Sequence, residues 1–230
     1  MRNIQRVGGL AALVLGASYV IGIGIYATLL NAPDVDTPAE KLAYLADNEA
    51  VSLVVTIIIY IVAGIALVPL SLGVHDRLES ERRATMQVAT VFGLIWAGVV
   101  VASGMIYNIG VATLVDIKDS DPEVAVAAWQ AVSAVSDGLG GGSELIGAIW
   151  VLLVTVSAWK TRRLPLGLNC LGLVVATAGA LTVIPALSIF QDVFGLSQIP
   201  WFIWLGSIMI QSGRSIEADT MTPSTGHRVA

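Results

Sequence analysis

Six polar and aromatic side chains stand near corresponding ends of the long apolar segments in this 230-residue sequence. Carboxylates attract cations, and the faces of aromatic rings attract them as well. Ionisable groups at membrane depth are candidates for function by default. The pattern therefore predicts a binding site for a small or cationic ligand, either a metal ion or an organic amine. The candidate residues are Glu144, Asp137, Asn108, Tyr107, Tyr26 and Asp192.

Most of these side chains also have an ordinary structural interpretation. Glu144 can accept hydrogen bonds from the free amides of the helix that it begins, where a carboxylate also suits the helix dipole. Asp137 and Asp192 can simply lie in water. Tyr26 and Tyr107 can belong to the aromatic belt at a membrane boundary. The sequence leaves both interpretations open.

A glycine-rich stretch, Gly138 to Gly142, separates the two central carboxylates, Asp137 and Glu144. Each Gly in a helix costs roughly 1 kcal/mol relative to Ala, so four of them together predict an interruption. The interruption is either a plain linker between two helices or a broken helix at a binding site. The linker is the simpler interpretation.

No catalytic or metal-binding motif accompanies this group of residues. The two histidines, His75 and His227, have no second ligand at helical spacing. The single cysteine, Cys170, stands among apolar neighbours, where a packing role is expected. The sequence contains no nucleophile elbow, zinc-protease motif or phosphate loop. We therefore expect a protein that is not an enzyme and that uses no cofactor and no metal centre.

The composition indicates a membrane protein. Charged residues make up 13% of the chain and hydrophobic residues 56%, whereas a soluble domain carries roughly 25% charged residues. The surplus apolar surface must face lipid, so the lipid bilayer is the expected partner. A net charge of −5 excludes the basic surface of a nucleic-acid-binding protein. One cysteine excludes a disulfide scaffold.

Six apolar segments approach the length of about 20 residues that a membrane-spanning helix needs. The predicted fold class is all-α, a polytopic transmembrane helical bundle over residues 1–215, with a disordered cytoplasmic tail over 216–230. The sixth segment is short, and a re-entrant segment is the alternative interpretation. The predicted spans lie at about 7–30, 50–74, 88–115, 139–159, 165–190 and 196–212.

The basic residues predict the orientation. Six spans place ten of the twelve Lys and Arg residues on one side, leaving only Lys41 and Lys118 on the other. The positive-inside rule then puts both termini in the cytoplasm of an inner-membrane protein, with the first span as an uncleaved signal anchor. Most acidic residues fall outside, which makes the outer face about −10 and the inner face about +5. Membrane insertion does not require this outer acidity.

Two outer loops begin short helices with recognisable signals. Thr37 and Glu40 have capping-box spacing, and Pro122 suits the first position of a helix. Each helix has a weak apolar face, which predicts a position in the outer membrane interface. An ordinary helix packed on the mouth of the bundle is the alternative.

Small residues and tryptophans complete the pattern. Gly172 and Ala176 exemplify a four-residue spacing of small side chains that allows helices to approach closely. Trp159 stands at the inner end of its span, and Trp201 and Trp204 at the predicted outer end of theirs. All three positions are typical of an aromatic belt.

The junction between the fourth and fifth spans resembles a known family. It reads Trp159-Lys160-Thr161-Arg162-Arg163-Leu164-Pro165-Leu166-Gly167-Leu168, followed by Leu171-Gly172. This basic turn with Leu-Pro, Gly and Leu-Gly is similar to that of the domain of unknown function 4386 family, bacterial multi-pass membrane proteins with no established activity. The resemblance covers the last two spans and the hydropathy layout. It implies fold and location only.

Three functions from different classes remain. The first is a binding or transport-type bundle that uses the outer acidic and aromatic site. The second is an accessory or structural subunit that packs against a partner membrane protein or a second copy through its small-residue faces. The third is an intramembrane enzyme, which the absence of any nucleophile–base pair or metal set in the sequence disfavours.

Overall fold

The computed structural model describes the backbone of residues 2–30, 37–142 and 144–221 and, within them, all side chains except those of 2–3, 80–82 and 212–221. Every element in these residues is helical, as predicted. Two π-helices, π1 (Ile57–Val62) and π2 (Asp137–Gly141), and one 3₁₀ turn (Pro185–Leu187) interrupt the α-helices. The α-helices are α1 (Arg2–Leu29), α2 (Pro38–Asp47), α3 (Glu49–Thr56), α4 (Ala63–Ile117), α5 (Pro122–Ser136), α6 (Leu145–Thr161), α7 (Leu166–Leu181) and α8 (Ile189–Met221).

Within the described residues, five helical segments are long and apolar enough to cross a membrane. Helix α7 has 16 residues and is about 24 Å long, so it falls below that length. The prediction of a helical bundle of membrane type is supported, but six full spans are not confirmed. The five segments are Ile4–Leu29, Glu49–Glu79, Arg83–Ile117, Pro122–Thr161 and Ile189–Gln211.

The boundary between the last two helices differs from the predicted one. Helix α7 ends at Leu181 rather than near residue 190, and α8 begins at Ile189 rather than near residue 196. Ile184 is extended, with φ −94° and ψ 108°, because the residue before a proline avoids the helical region. Pro185 therefore ends the fifth predicted span early. The residues from Ile189 onwards belong to the final helix, which is longer than predicted.

Helix α4 is a hairpin rather than one straight rod. His75 Nδ1 lies 2.8 Å from Thr90 Oγ1, whereas a straight helix would separate these residues by about 22 Å. Gly64 also packs against Val101 further up the same element. The chain thus reverses, and the two arms are the segments Glu49–Glu79 and Arg83–Ile117. The basic end of the bundle is the end where these arms meet.

Close glycine contacts and aromatic rings fill the half of the bundle nearer the basic end. Gly8 of α1 packs on Gly73, and Gly9 packs on Gly206 of α8. Between α4, α6 and α8, the rings of Trp150 and Trp201 meet at 5.7 Å. Trp201 is only 1% exposed, so its predicted place in an aromatic belt was wrong. A large ring fits the core here because small residues on neighbouring helices leave room for it.

The chain after α4 returns along the second arm as a broken helix. Val132 of α5 packs on Gly110, and Gly147 of α6 packs on Trp96. Two reciprocal contacts tie Ser136 to Ser103, with the hydroxyl oxygens 2.8 Å apart. Helix α5 therefore runs alongside α4, and π2 joins it to α6. The interruption that the glycines predicted is confirmed, but α5 belongs to the same passage through the bundle as α6.

The predicted helix starts at the acidic end are confirmed. Thr37 and Glu40 form a reciprocal capping box at the start of α2, and Pro122 opens α5 after its N-cap, Asp121. Leu42 is 3% exposed and packs with the end of α4 and the start of α5. Helix α2 thus packs on the mouth of the bundle. Helical backbone extends to Met221, and residues 222–230 of the predicted tail lie outside the described residues.

Candidate functional site

Two neighbouring cavities occupy the half of the bundle nearer the acidic end. The first, which we call the vestibule, has a volume of about 560 Å³ and is partly open. Its wall joins the ends of α1 and α4 to α2, α3, π1 and α5. Most of its large side chains are aromatic: Tyr26, Tyr44, Tyr60, Tyr107 and Trp129 line it together with Lys41, Ser52 and Asp137.

The second cavity, the deep cavity, has a volume of about 290 Å³ and lies beside the break between π2 and α6. It is lined by two carboxylate side chains, two amide side chains, two phenols and four glycines. Of the two carboxylates, Glu144 has a buried Oε2 atom and Asp192 is exposed. The polar and aromatic side chains are Tyr19, Tyr60, Glu144, Gln191, Asp192, Phe194 and Gln198, and the glycines are Gly140, Gly141, Gly142 and Gly195.

Two π-helices meet where the two cavities adjoin. Tyr60 of π1 lines both cavities, as does its neighbour Ile59. The Tyr60 hydroxyl donates a long hydrogen bond of 3.4 Å to the carbonyl oxygen of Gly141 in π2. Single-turn π-helices inside α-helices are frequent at functional sites. Tyr60 and Ile59 therefore lie between the vestibule and the deep cavity.

The break in π2 depends on one glycine. Gly140 has φ +146° and ψ 11°, a conformation that residues with a Cβ rarely adopt. It lies against Val100 of the second arm of α4. The chain turns here, so Asp137 and Glu144 do not share one helical face, and each carboxylate lines a different cavity.

Glu144 lies about midway along the bundle. It precedes α6, whose first turn is level with Trp96 to Val100 of the arm that extends from Arg83 to Ile117. This position corrects the expectation that Glu144 lies near the outer boundary. Because α5 forms the upper half of the same passage, α6 begins in the middle of the bundle rather than at its edge.

The Glu144 carboxylate does not cap its own helix. Its backbone N–H donates to Thr182 Oγ1 at 2.8 Å, and its side chain makes no capping bond. Glu144 Oε2 is buried, and neither it nor Trp96 Nε1 makes a hydrogen bond of good geometry with a described residue. The Trp96 indole N–H nevertheless lies beside the carboxylate and stabilises it electrostatically. The helix-cap interpretation of Glu144 is therefore wrong, and Trp96 only partly satisfies this buried acceptor.

The electrostatic neighbours of the two carboxylates are phenols. Glu144 lies close enough to Tyr19 and Tyr60 to act on both hydroxyl groups. Asp137 acts in the same way on Tyr60 and Tyr107. Tyr60 thus interacts electrostatically with both carboxylates, one from each cavity. The arrangement places phenol rings beside each carboxyl group.

The six predicted site residues divide between the cavities. Tyr26, Tyr107 and Asp137 line the vestibule, and Glu144 and Asp192 line the deep cavity. Asn108 lines neither, although it follows Tyr107 in the sequence. Successive helical residues point about 100° apart, so only one of the pair faces the vestibule.

The sequence interpretation missed Tyr19, Tyr60 and Gln198. Tyr19 and Tyr60 lie well inside predicted spans, where an aromatic side chain counts as apolar, and Gln198 lies in a segment predicted as a span boundary. Gln198 is nevertheless 3% exposed, and the Tyr19 hydroxyl lies beside its amide. A signal was present, because a hydroxyl or amide inside an apolar span needs a partner.

The donor groups do not form a conventional metal centre. Within the described residues, no group of three or more His, Cys, Asp or Glu side chains is placed to hold a metal ion. His75 lies at the basic end, where it contacts Thr90 and Glu79. The cavities instead combine one or two carboxylates with aromatic walls, which suits an organic cation better.

Comparisons with protein-family models, with curated proteins and with solved structures find no match for this chain. The resemblance to the domain of unknown function 4386 family accordingly stays a prediction. What the chain does must be inferred from the geometry of its own two cavities.

Proposed function

We propose that this chain is an integral membrane protein without enzymatic activity that binds a small cationic ligand, as a binding or transport-type bundle. One observation carries the proposal. The Glu144 carboxylate reaches the deep cavity at a helix break, and its Oε2 atom is buried without a hydrogen bond of good geometry to a described residue.

A cation would compensate the cost of this buried group. An ionised carboxylate in a low-dielectric interior is expensive unless it is paired. A ligand ammonium group beside Glu144 would supply the opposite charge, and the faces of Tyr19 and Tyr60 would add cation–π attraction. Ionisable groups inside membrane bundles and discontinuous helices both mark ligand sites in membrane proteins.

The topology that we propose brings the ligand from the acidic side. The chain would pass through a bacterial inner membrane six times with both termini in the cytoplasm, and α7 would be the shortest passage. In support, α7 packs between α6 and α8, with Gly167 on Trp204 at one end and Gly179 on Phe194 and Ala148 at the other. A mouth of about −10 would attract cations over a distance of several ångströms.

The experiment is thermal unfolding of the detergent-solubilised full chain with methylammonium chloride, against sodium chloride at equal ionic strength. Ligand that binds only the folded state raises its stability by RT ln(1 + [L]/Kd). We expect methylammonium to raise the melting temperature of the wild type. Glu144→Gln should abolish the increase, and Glu123→Gln, on an exposed first turn of α5, should retain it.

Two results would contradict the proposal. One is that methylammonium stabilises the wild type no more than sodium does, which is what the accessory-subunit alternative predicts. The other is that Glu144→Gln keeps the full stabilisation, since the amide has nearly the same shape but cannot neutralise a cation.

A further inference from the structure

The deep cavity and the vestibule differ in chemistry although they adjoin. We propose that the ligand is an elongated organic amine, with its ammonium group beside Glu144 in the deep cavity and an uncharged aromatic or aliphatic tail in the vestibule. This inference rests on the proposed function and names its substrate class.

The deep cavity is suited to a polar head. Its volume of about 290 Å³ is at the lower limit of ligand pockets, which usually measure about 300–1,000 Å³. Glu144 and Asp192 supply carboxyl groups, and the side chains of Gln191 and Gln198 supply amide groups. An ammonium group donates hydrogen bonds to carboxylate and amide oxygens. Gln198 Oε1 is itself buried without a partner among the described residues.

The vestibule is suited to a tail. Tyr107 and Trp129 pack edge to face with ring centroids 5.7 Å apart, and both line the vestibule with Tyr26 and Tyr44. Aromatic rings of this kind pack against other rings and against methylene groups. The vestibule has about twice the volume of the deep cavity, so the larger part of a bipartite ligand fits there.

The charges of the vestibule argue against a second cationic group on the ligand. Asp137 lines this cavity, but so does Lys41, so the wall holds one negative and one positive side chain. A diammonium ligand would place its second charge near the Lys41 ammonium group, where like charges repel. An uncharged tail avoids this repulsion and still makes contact with the aromatic wall.

The two cavities share a wall, which the proposed ligand crosses beside Tyr60. Ile59 and Tyr60 line both, and the single hydroxyl contact from Tyr60 to Gly141 is long at 3.4 Å. A slender amine can pass beside the ring with its first methylene groups in contact with Tyr60. The ammonium group then reaches Glu144, while the tail stays on the vestibule side.

The test compares methylammonium with 2-phenylethylammonium in thermal unfolding of the full chain. We expect the larger amine to reach its half-maximal effect at a concentration about tenfold lower, because aromatic contact contributes about this factor. Trp129→Ala should reduce the advantage to less than about threefold. Trp159→Ala, which removes an exposed tryptophan at the other end, should leave it intact. Neutral 2-phenylethanol controls for hydrophobic partitioning and should have little effect.

The possible results separate this inference from the proposed function. If neither amine stabilises the protein, both fail. If methylammonium stabilises it and the phenylethyl tail adds nothing, the tail inference alone is overturned. It is also overturned if the advantage survives in Trp129→Ala or is matched by 2-phenylethanol. Should Trp129→Ala not fold, Tyr107→Leu removes the other ring of the pair and decides the same question.

Discussion

The two halves of the bundle are packed differently. Glycines bring helices into contact in both halves, as where Gly8 meets Gly73 and where Gly110 meets Val132. Towards the basic end, the large rings of Trp150 and Trp201 fill the space between the helices. Towards the acidic end, both π-helices interrupt the regular hydrogen-bond ladder, and two cavities lie beside them. Each apolar segment belongs to both halves, so span hydropathy alone does not distinguish a filled core from a site.

This difference indicates where a membrane bundle can contain a cavity large enough for a ligand. Between helices in lipid, association depends on van der Waals contact and on internal hydrogen bonds rather than on the hydrophobic effect. A continuous helix with small residues maximises such contact. A π-turn adds a residue and displaces the helix axis, so neighbouring side chains no longer interlock and polar groups gain access to the interior.

The largest effect is expected from a ring in the filled half. Trp150→Ala should lower the free energy of unfolding by about 3–5 kcal/mol, because it opens a cavity between the buried rings of Trp96 and Trp201. Tyr107→Ala, which enlarges a cavity that already exists, should cost less than half as much. Thermal or denaturant unfolding in detergent measures both. Equal losses would mean that the two halves are packed equally well.

An intermediate effect is expected at the break. Gly140→Ala should destabilise the protein by about 1–3 kcal/mol, because the alanine Cβ makes φ +146° unfavourable. Gly138→Ala is the matched control, since Gly138 lies in π2 with ordinary helical geometry and no described atom lies within 4 Å of an added Cβ. That variant should be neutral or slightly stabilising. Equal stabilities of the two variants in unfolding experiments would contradict the special role of Gly140 at the break.

The smallest effect is expected where the broken helix is tied to α4. Ser103→Ala removes the two hydrogen bonds of the Ser103 hydroxyl to Ser136, leaves the bond from the Ser136 hydroxyl to the Ser103 carbonyl, and should cost about 1 kcal/mol. Ser133→Ala changes a hydroxyl that is buried without a hydrogen-bond partner among the described residues, so it should cost nothing measurable. Hydrogen exchange of the α5 and π2 amides should increase only in the first variant. Exchange that is unchanged in both would show that α5 is held by its apolar contacts alone.

Local hydrogen bonding made several features predictable. The capping box of Thr37 and Glu40 depends on groups three residues apart, and Pro122 needs only its own restricted φ to begin a helix. The glycine-rich interruption before Glu144 likewise follows from backbone freedom. Such features depend on neighbours in the chain, so a single sequence is sufficient to identify them.

The composition of the cavities could not be predicted in the same way. Tyr60 lies in an apolar run without any polar neighbour, and its role depends on a contact with Gly141, 81 residues away. Tryptophan is a residue type typical of an aromatic belt, but Trp201 is buried against α6 and α7. The shortened α7 shows the same limit, because Pro185 was visible in the sequence while its consequence for the next helix was not.

By itself, the sequence determined that the chain is helical and apolar, that its charges are asymmetric, and that Glu144 follows a break. These properties are sums over residues or depend on short-range bonds. Only the tertiary structure decided that α5 and α6 form one broken passage, that Glu144 therefore lies in the middle of the bundle, and that Asp137 lines a different cavity. Those outcomes depend on which helices pack side by side, and packing of this kind joins residues far apart in the chain.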